Sequence, residues 1–166
     1  MKNNKGFTLV EIMIVVAIIA LLATIALPGL LRTRLTANES NAIATLRTIA
    51  TGAETYRTAQ PTPTYPATGL VTDLSSVTPP YITGFTANGE VGEKAGYGFD
   101  VLGDANTFTA TANPLTPGTT GSRNFCIDHT GIMYSMVNDG TTGNAVAAAA
   151  ATTCDAIDAA FVVLSQ

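Results

Sequence analysis

Several residue types are scarce in this sequence, and their scarcity excludes whole classes of function. Lys and Arg number 8 against 12 Asp and Glu, which gives a formal net charge of -4. Because nucleic-acid binding needs a basic face that gathers phosphates, this balance argues against nucleic-acid binding by the globular part. The sequence has one histidine, His129, and two cysteines that do not form a Cys-x-x-Cys pair. That set is too small to complete a protein zinc site.

Charge is also sparse overall, and the apolar residues are unevenly distributed. Charged residues make up 12% of the chain, yet its mean hydropathy is positive. A chain of this composition stays soluble only if its apolar residues are concentrated in one region. The 166 residues suffice for one compact domain plus one extended element and are few for two independent cores. We therefore expect one globular head and one apolar segment.

The apolar segment lies at the start of the chain. Twenty uncharged residues separate Glu11 from Arg32, and a helix of that length crosses about 30 Å of hydrocarbon. Lys2 and Lys5 precede it and predict a cytoplasmic amino terminus, although Arg32 and Arg34 on the far side weaken the charge asymmetry. A secretory signal is the alternative, but this apolar run is too long for one and Glu11 interrupts its beginning. We interpret the segment as membrane-spanning.

The residues leading into this segment form a specific motif. Lys5-Gly6-Phe7-Thr8-Leu9-Val10-Glu11, followed directly by the apolar run, resembles the amino terminus of type IV pilins and of the pseudopilins of type II secretion. The resemblance implies that a membrane peptidase cuts after Gly6 and that the new amino terminus, Phe7, is methylated. It also implies an inner-membrane precursor whose cleaved form polymerises through its N-terminal helix.

Glu11 occupies a position that needs an explanation. A carboxylate inside a membrane helix costs roughly 2.5 to 3.5 kcal/mol on insertion scales. One interpretation is a side chain that reaches the membrane interface, although glutamate is short for this. The resemblance implies a second, in which Glu11 pairs with the amino terminus of Phe7 on a neighbouring subunit. A subunit out of register would leave both charges unpaired in apolar surroundings, so such a pair would specify register more than it would add stability.

Pro28 and Gly29 lie near the outer end of the apolar run. Proline removes one backbone donor and glycine weakens the local helix, so we expect a kink or a melted turn there. The simpler interpretation is a tolerated kink, which is common in membrane helices. The resemblance implies local unwinding on assembly that lets the filament extend under load.

A second helical pattern follows the apolar run. Apolar residues recur at spacings of three, four or seven over residues 35–56, with polar residues, Glu39 among them, in between. Because no clear cap separates the two patterns, we predict one long helix over residues 8–58. Pro61 and Pro63 are expected to stop it.

The remaining sequence predicts a loop, two hairpins and a tail. Residues 61–96 are rich in Pro, Thr and Gly and are predicted to be an ordered loop with little regular structure. From Tyr97 the apolar period becomes two and predicts hairpins over residues 97–112 and 124–136. Their four antiparallel strands would cover one face of the helix. The tail ends in an apolar stretch, residues 161–164, which we expect to pack on the head because it is too short to span a membrane.

Cys126 and Cys154 lie in the part of the chain that the topology assigns to an oxidising compartment. We therefore predict a disulfide between them, with two separate thiols as the alternative. In the chain-entropy model, a bridge that closes a loop of about 28 residues contributes about 3 to 4 kcal/mol. It would tie the tail to a strand.

Cys126, Asp128 and His129 also have the chemistry of a nucleophile set or of metal ligands. However, Cys126 and Asp128 alternate on a predicted strand and His129 lies in a predicted turn, so we interpret His129 as a solvated turn residue. Asp139, Asp155 and Asp158 lack the spacing of a defined calcium loop. We assign no catalytic residue, no metal and no cofactor.

The predicted fold class is α+β, with a long N-terminal helix packed against a small antiparallel sheet head, as in the pilin fold. The predicted segments are a leader peptide (1–6), a transmembrane and filament-core helix half (7–31), an amphipathic helix half (32–60), a connecting loop (61–96), an antiparallel sheet (97–137) and a C-terminal region tied by the disulfide (138–166).

The predicted function is that of a structural subunit, not an enzyme, in a type IV pilus filament used for adhesion, motility or DNA uptake. The resemblance implies several partners: further copies of the chain, the prepilin peptidase and methyltransferase, an inner-membrane assembly platform with its ATPase, and membrane lipid before assembly. The head would be periplasmic in the precursor, and the filament extracellular or periplasmic.

Two alternatives to the pilin are open. A type II secretion pseudopilin is the first, but the sequence has no Trp and therefore lacks the Asp-Pro-Trp-Gly stretch of the major secretion pseudopilins. A membrane-anchored binding module that does not polymerise is the second.

Overall fold

The computed structural model describes residues 7–138, 153–157 and 160–164. Within these ranges the chain has an α+β, pilin-like fold. Its elements are α1 (Leu9–Ala59), a π-helical turn (Val71–Ser75), β1 (Thr86–Asn88), β2 (Val91–Lys94), β3 (Tyr97–Gly103), β4 (Phe108–Pro114), β5 (Arg123–Asp128), β6 (Met133–Val137), α2 (Cys154–Ile157) and β7 (Val162–Val163). The backbone divides into two compact units, one ending at Arg34 and the other, the head, beginning at Leu35.

Helix α1 confirms the prediction of one long N-terminal helix. It has 51 residues and stops at Ala59, just before the prolines that were expected to end it. The helix continues through Pro28 and Gly29, so the melted turn predicted there is absent from this part of the described chain. Unwinding on assembly concerns another state of the protein and stays a prediction.

The part of α1 that belongs to the head is amphipathic, as its spacing predicted. Ala42, Leu46, Ile49 and Ala53 are at most 1% exposed. They recur every three or four residues and so share one helical face. This face packs on the sheet. Together with every second residue of the strands it forms the main core of the head, which includes Tyr97, Phe99, Val101, Phe108 and Phe125.

The sheet is an antiparallel meander. Among the described residues its seven strands follow one another in chain order, β1 to β7, each hydrogen-bonded to the next. The two hairpins predicted from the period-two pattern correspond to β3–β4 and β5–β6. β3 and β4 pair over their full length, from Tyr97 opposite Pro114 to Gly103 opposite Phe108.

Residues 61–96 contain more regular structure than predicted. They include the π-helical turn and strands β1 and β2, which pair antiparallel. The hairpin turn is two residues long and begins at Gly89, whose φ of 63° suits a residue without a Cβ. β1 and β2 carry few β-branched or aromatic residues, so local propensity did not reveal them. β2 forms because β3 offers it a paired edge, with Gly92 opposite Phe99.

The face of the sheet opposite α1 is more polar. Thr109 lies opposite Asp128 and Thr111 opposite Cys126, and all four residues are fully buried. A second, smaller apolar cluster lies on this side and consists of Cys126, Tyr134, Cys154 and Phe161. The predicted disulfide between Cys126 and Cys154 is present, with a Cα–Cα distance of 6.0 Å.

The C-terminal region was only partly anticipated. Phe161 is 5% exposed and packs on the head, as expected for the apolar end. Val162 and Val163, however, form the edge strand β7 on β6, and two residues are too few to show a strand pattern. The alanine-rich stretch 147–151 lies outside the described residues.

Loss of the disulfide should destabilise the head. The double variant Cys126→Ser with Cys154→Ser should lower the free energy of unfolding by about 3 to 4 kcal/mol, because the unfolded chain regains the entropy of an open loop. Thermal unfolding of the full chain in detergent, followed by circular dichroism, measures this. Thr153→Ser, which keeps the bridge, is the matched control. Equal melting temperatures for the double variant and the wild type would contradict a stabilising role for the bridge.

Candidate functional site

The amino-terminal end of α1 is closed by a reciprocal cap. The backbone N–H and the hydroxyl of Thr8 donate to Glu11 Oε2 at 2.8 and 2.7 Å, and the N–H of Glu11 donates to Thr8 Oγ1 at 3.2 Å. Threonine followed three residues later by glutamate is the capping-box arrangement, which satisfies backbone donors that the first turn leaves unpaired. Oε2 accepts both hydrogen bonds that Thr8 donates to the carboxylate, so Oε1 can still accept a hydrogen bond from another donor.

This cap was missed at the sequence level. Glu11 was interpreted only through the membrane interface and through pairing with a neighbour. The signal was present, because Thr8 and Glu11 have capping-box spacing directly before an apolar run. A negative carboxylate at a helix amino terminus also interacts favourably with the helix dipole.

The apolar side chains in the N-terminal part of α1 are exposed on every face of the helix. All large apolar residues from Phe7 to Leu31 are between 50 and 86% exposed. α1 is also long and apolar enough at this end to cross a membrane. A helix that is apolar all round requires lipid or other protein around it.

Threonine hydroxyls within this stretch and just after it donate to carbonyls of the same helix. The hydroxyl of Thr24 donates to the carbonyl of Ala20 at 2.9 Å, and that of Thr33 donates to the carbonyl of Gly29 at 3.0 Å. Such bonds allow threonine in an apolar medium, where an unpaired hydroxyl is costly. Pro28 has no N–H to donate to the preceding turn, which makes this the weakest point of the helical hydrogen-bond ladder.

A partly buried ionic network attaches α1 to the sheet within the head. Glu39 Oε2 accepts from Arg123 Nη2 at 2.8 Å and from Nε at 3.1 Å, and Oε1 accepts from the Ser122 hydroxyl and N–H at 2.7 and 3.0 Å. The Tyr97 hydroxyl donates to the carbonyl of Arg123 at 3.0 Å. Its ring lies so close to Gly121 that a Cβ there would be 1.9 Å from the hydroxyl oxygen, so only glycine fits.

Glu39 is therefore not the solvated residue that the helical pattern indicated. Its exposure is 7%. Burial raises the pKa of Glu39, but the hydrogen bonds from Arg123 and Ser122 outweigh burial, so the pKa lies below its ordinary value. No sequence signal pointed to this pair, because 84 residues separate the partners.

Cys126 and Asp128, two of the residues considered for catalysis or metal binding, make structural contacts within the head. Cys126 is in the disulfide and is 0% exposed. Asp128 accepts from the N–H and the hydroxyl of Thr130 and, at 3.4 Å, from the N–H of Cys154. His129 is half-buried rather than solvated, and with Asp128 it lines a small cleft beside α1. No group of three potential metal ligands occurs in the described ranges. Asp155 is exposed, and Asp139 and Asp158 lie outside those ranges.

The predicted assembly residues lie at the amino-terminal end of α1. Phe7 is 86% exposed and Glu11 caps the helix two residues after its start, whereas Gly6 lies outside the described residues. Pro28 and Gly29 are about 25 Å further along the same helix at 1.5 Å per residue. Of the residues predicted for processing and charge pairing, Phe7 and Glu11 thus lie at the same terminus of the helix.

Comparison with known proteins identifies this terminus. Residues 1–27 match the family model for the prokaryotic N-terminal methylation motif. The N-terminal segment of the chain is therefore similar to that of type IV pilins. It is 55% identical over 40 residues to the type IV wide pilus major component PilA4 of Thermus thermophilus, a match that covers 24% of this chain and 30% of that protein.

A second relative shows the same N-terminal similarity. The chain is 42% identical over 54 residues to the type IV major pilin protein PilA of Myxococcus xanthus, which covers 32% of this chain and 24% of that pilin. The similarity to both pilins thus spans about a quarter to a third of their length. No solved structure matches the chain.

The Glu39 network predicts how the stability of this pilin-like head depends on pH. A depressed carboxyl pKa contributes stability above the unfolded-state value of about 4.3 and loses it as pH falls through the folded-state value. Glu39→Gln should lower the free energy of unfolding at neutral pH by about 1.5 to 3 kcal/mol, the usual contribution of hydrogen bonds to a charged group. The deficit should shrink on acidification.

Melting temperatures of the full chain in detergent, measured from neutral to acidic pH, check this prediction. Glu93→Gln on β2 is the matched control, since it removes one carboxylate outside the network. A Glu39→Gln deficit that is the same at every pH would show that the carboxylate charge is not what stabilises the contact.

Proposed function

We propose that this chain is the subunit of a type IV pilus filament. The observation that carries the proposal is the terminal helix, apolar on every face and 50% or more exposed at each large side chain from Phe7 to Leu31, preceded by a methylation motif. Such a helix has two suitable environments, a lipid bilayer and a bundle of identical helices. The proposed pilin occupies them in turn.

The precursor would be an inner-membrane protein. Lys2 and Lys5 favour a cytoplasmic amino terminus and therefore a periplasmic head. A disulfide in the head is consistent with an oxidising compartment. In this proposal the segment 7–31 spans the membrane before assembly and forms the filament core afterward, with the outer half of α1 and the sheet on the outside.

Processing would begin at Gly6 and Phe7. A prepilin peptidase would hydrolyse the peptide bond after Gly6, and a methyltransferase would then methylate the amino group of Phe7. Cleavage creates a positive amino terminus close to the capped start of α1. The Thr8 cap holds the Glu11 carboxylate through Oε2 and leaves Oε1 able to accept from such an amine.

Assembly would pair Glu11 with the amino terminus of Phe7 in a neighbouring copy. The helices leave lipid for protein, so packing of Ile, Val and Leu side chains must supply most of the affinity. The charge pair would then select the register, because an unpaired charge in the helix bundle costs several kcal/mol. An inner-membrane platform and its ATPase would drive extraction, and the filament would serve adhesion, motility or DNA uptake.

Mass spectrometry of sheared filaments should find a chain that begins at N-methylated Phe7 and is two hydrogens lighter than the dithiol form. Cells without the leader peptidase are the control and should contain only the uncleaved chain, in the membrane fraction. Uncleaved membrane chain in cells with a working peptidase would contradict the filament proposal and favour an anchored binding module.

Neutralising Glu11 should block assembly without blocking membrane insertion. Glu11→Gln keeps an oxygen that can accept from Thr8 but cannot pair electrostatically with an amine. We expect the sheared filament fraction to fall at least about tenfold, since a loss of 1.4 kcal/mol suffices for that, while the membrane fraction stays unchanged. Immunoblots of both fractions provide the measurement.

Glu93→Gln is the matched control for this variant and should assemble normally. Normal assembly of Glu11→Gln would mean that Glu11 acts only as a helix cap and that its charge has no part in register. Absence of Glu11→Gln from both fractions would instead indicate degradation, which a pulse-labelled membrane sample separates from failed assembly.

A further inference from the structure

Several segments meet at the end of the head where α1 enters it. The Leu115 N–H donates to the carbonyl of Gly96 at 3.0 Å, which joins the β4–β5 loop to the β2–β3 turn. Asn38 on α1 donates through Nδ2 to the carbonyl of Thr120 at 2.9 Å. The N–H of Asn138, after β6, donates to the carbonyl of Ser122 at 2.8 Å. These bonds hold the segments together as one surface.

We call its exposed part the entry surface, and it consists of Lys94, Ala95, residues 115–119 and Val137. Leu115 is 49% exposed and Val137 74%. Residues 115–119 of the β4–β5 loop, Leu-Thr-Pro-Gly-Thr, carry no charge, and Lys94 is the exposed charged residue of the set. The entry surface thus combines apolar side chains with one cation.

The two carboxylates nearest this surface, Glu39 and Glu93, are each held by a partner within the head. Residues 35–166 contain four Lys and Arg against eleven Asp and Glu. Yet Glu39, the acid next to the Asn38 contact, is buried and neutralised by Arg123 at 2.8 Å. Glu93 adjoins Lys94 on β2, and its carboxylate accepts from Asn88 at 2.6 Å.

The opposite end of the meander is acidic. In an antiparallel meander successive turns alternate between the two ends of the sheet. The β1–β2, β3–β4 and β5–β6 turns therefore share the end away from the entry surface, and they carry Glu90, Asp104 and Asp128. These three acids thus lie at the end of the sheet away from the entry surface, with Asp128 buried there.

The chain itself limits how far the entry surface can be from a membrane. Seven residues lead from Leu31, the end of the apolar run, to Asn38. Even fully extended, they would span no more than about 25 Å, whatever the orientation of the head. Arg32 and Arg34 lie within this stretch and are exposed, and cations just outside a membrane span are attracted to anionic headgroups.

We propose that, in the membrane-inserted precursor, the entry surface rests on the lipid headgroups and that its partner is an anionic phospholipid surface. Leu115 would sit at the interface, with Lys94, Arg32 and Arg34 near the phosphates. Neutralisation of Glu39 and the distant position of the turn acids let an otherwise acidic head approach such a surface. The proposal rests on the proposed membrane insertion.

The absence of tryptophan from the chain permits a single-reporter test. The full chain carrying Leu115→Trp is inserted into vesicles of equal parts phosphatidylcholine and phosphatidylglycerol, with phosphatidylcholine brominated near the headgroup end of its acyl chains. Ile132→Trp is the matched control, because Ile132 is 41% exposed but follows the β5–β6 turn at the other end. Flotation shows insertion, and bromine quenching shows lipid contact.

We expect both variants to float with the vesicles, Leu115→Trp to lose most of its emission and Ile132→Trp to keep it. Quenching of Leu115→Trp should weaken in about 1 M salt, where the screening length is about 3 Å. It should also weaken in vesicles of phosphatidylcholine alone. If Leu115→Trp lacks the disulfide and so fails to fold, Val137→Trp replaces it.

Flotation of both variants without quenching of either overturns the proposal and leaves membrane insertion standing. Equal quenching of both variants overturns the anionic-surface assignment. Quenching of Leu115→Trp that is the same with and without anionic lipid overturns it as well. A blue shift of Leu115→Trp that depends on protein concentration and not on bromine would assign the surface to a second copy of the chain. Failure of either variant to float would remove the proposed membrane insertion itself.

Discussion

The apolar side chains of α1 from Leu9 to Leu31 are exposed to solvent within the described chain. The need to cover them is the constraint on which the rest of the protein depends. Apolar surface in water costs about 25 cal/mol for each Å², so the segment requires lipid or other copies. Every polar feature within it follows from that requirement. Glu11 is held by Thr8, the hydroxyl of Thr24 bonds its own helix, and charge reappears only at Arg32.

The head meets a different requirement, because it must fold around the outer half of the same helix. One face of the sheet is apolar and packs on α1, so the hydrophobic effect suffices there. The other face buries Thr109, Thr111 and Asp128, and apolar burial contributes less on that side. The Cys126–Cys154 disulfide adds a covalent constraint on that side.

Much of the fold was predictable because its signals are local. Helical spacing in residues 35–56 predicted which face of α1 is buried, and the period of two predicted β3 to β6. β1, β2 and β7 were missed, because strands of two to four residues are too short to establish a period. At the candidate site, the Thr8 cap could have been inferred from its spacing to Glu11, whereas the membrane and pairing interpretations of Glu11 concern neighbours outside the chain.

The sequence by itself determined the apolar helix, the methylation motif and the position of Glu11, because each depends on residues adjacent in the chain. Only the tertiary structure decided that Glu39 is buried and paired with Arg123, and that the turn residues Glu90, Asp104 and Asp128 lie at the end of the sheet opposite the entry surface. These arrangements arise when strands far apart in sequence are brought together. Helical periodicity describes one helix and carries no information about which distant residue will face it.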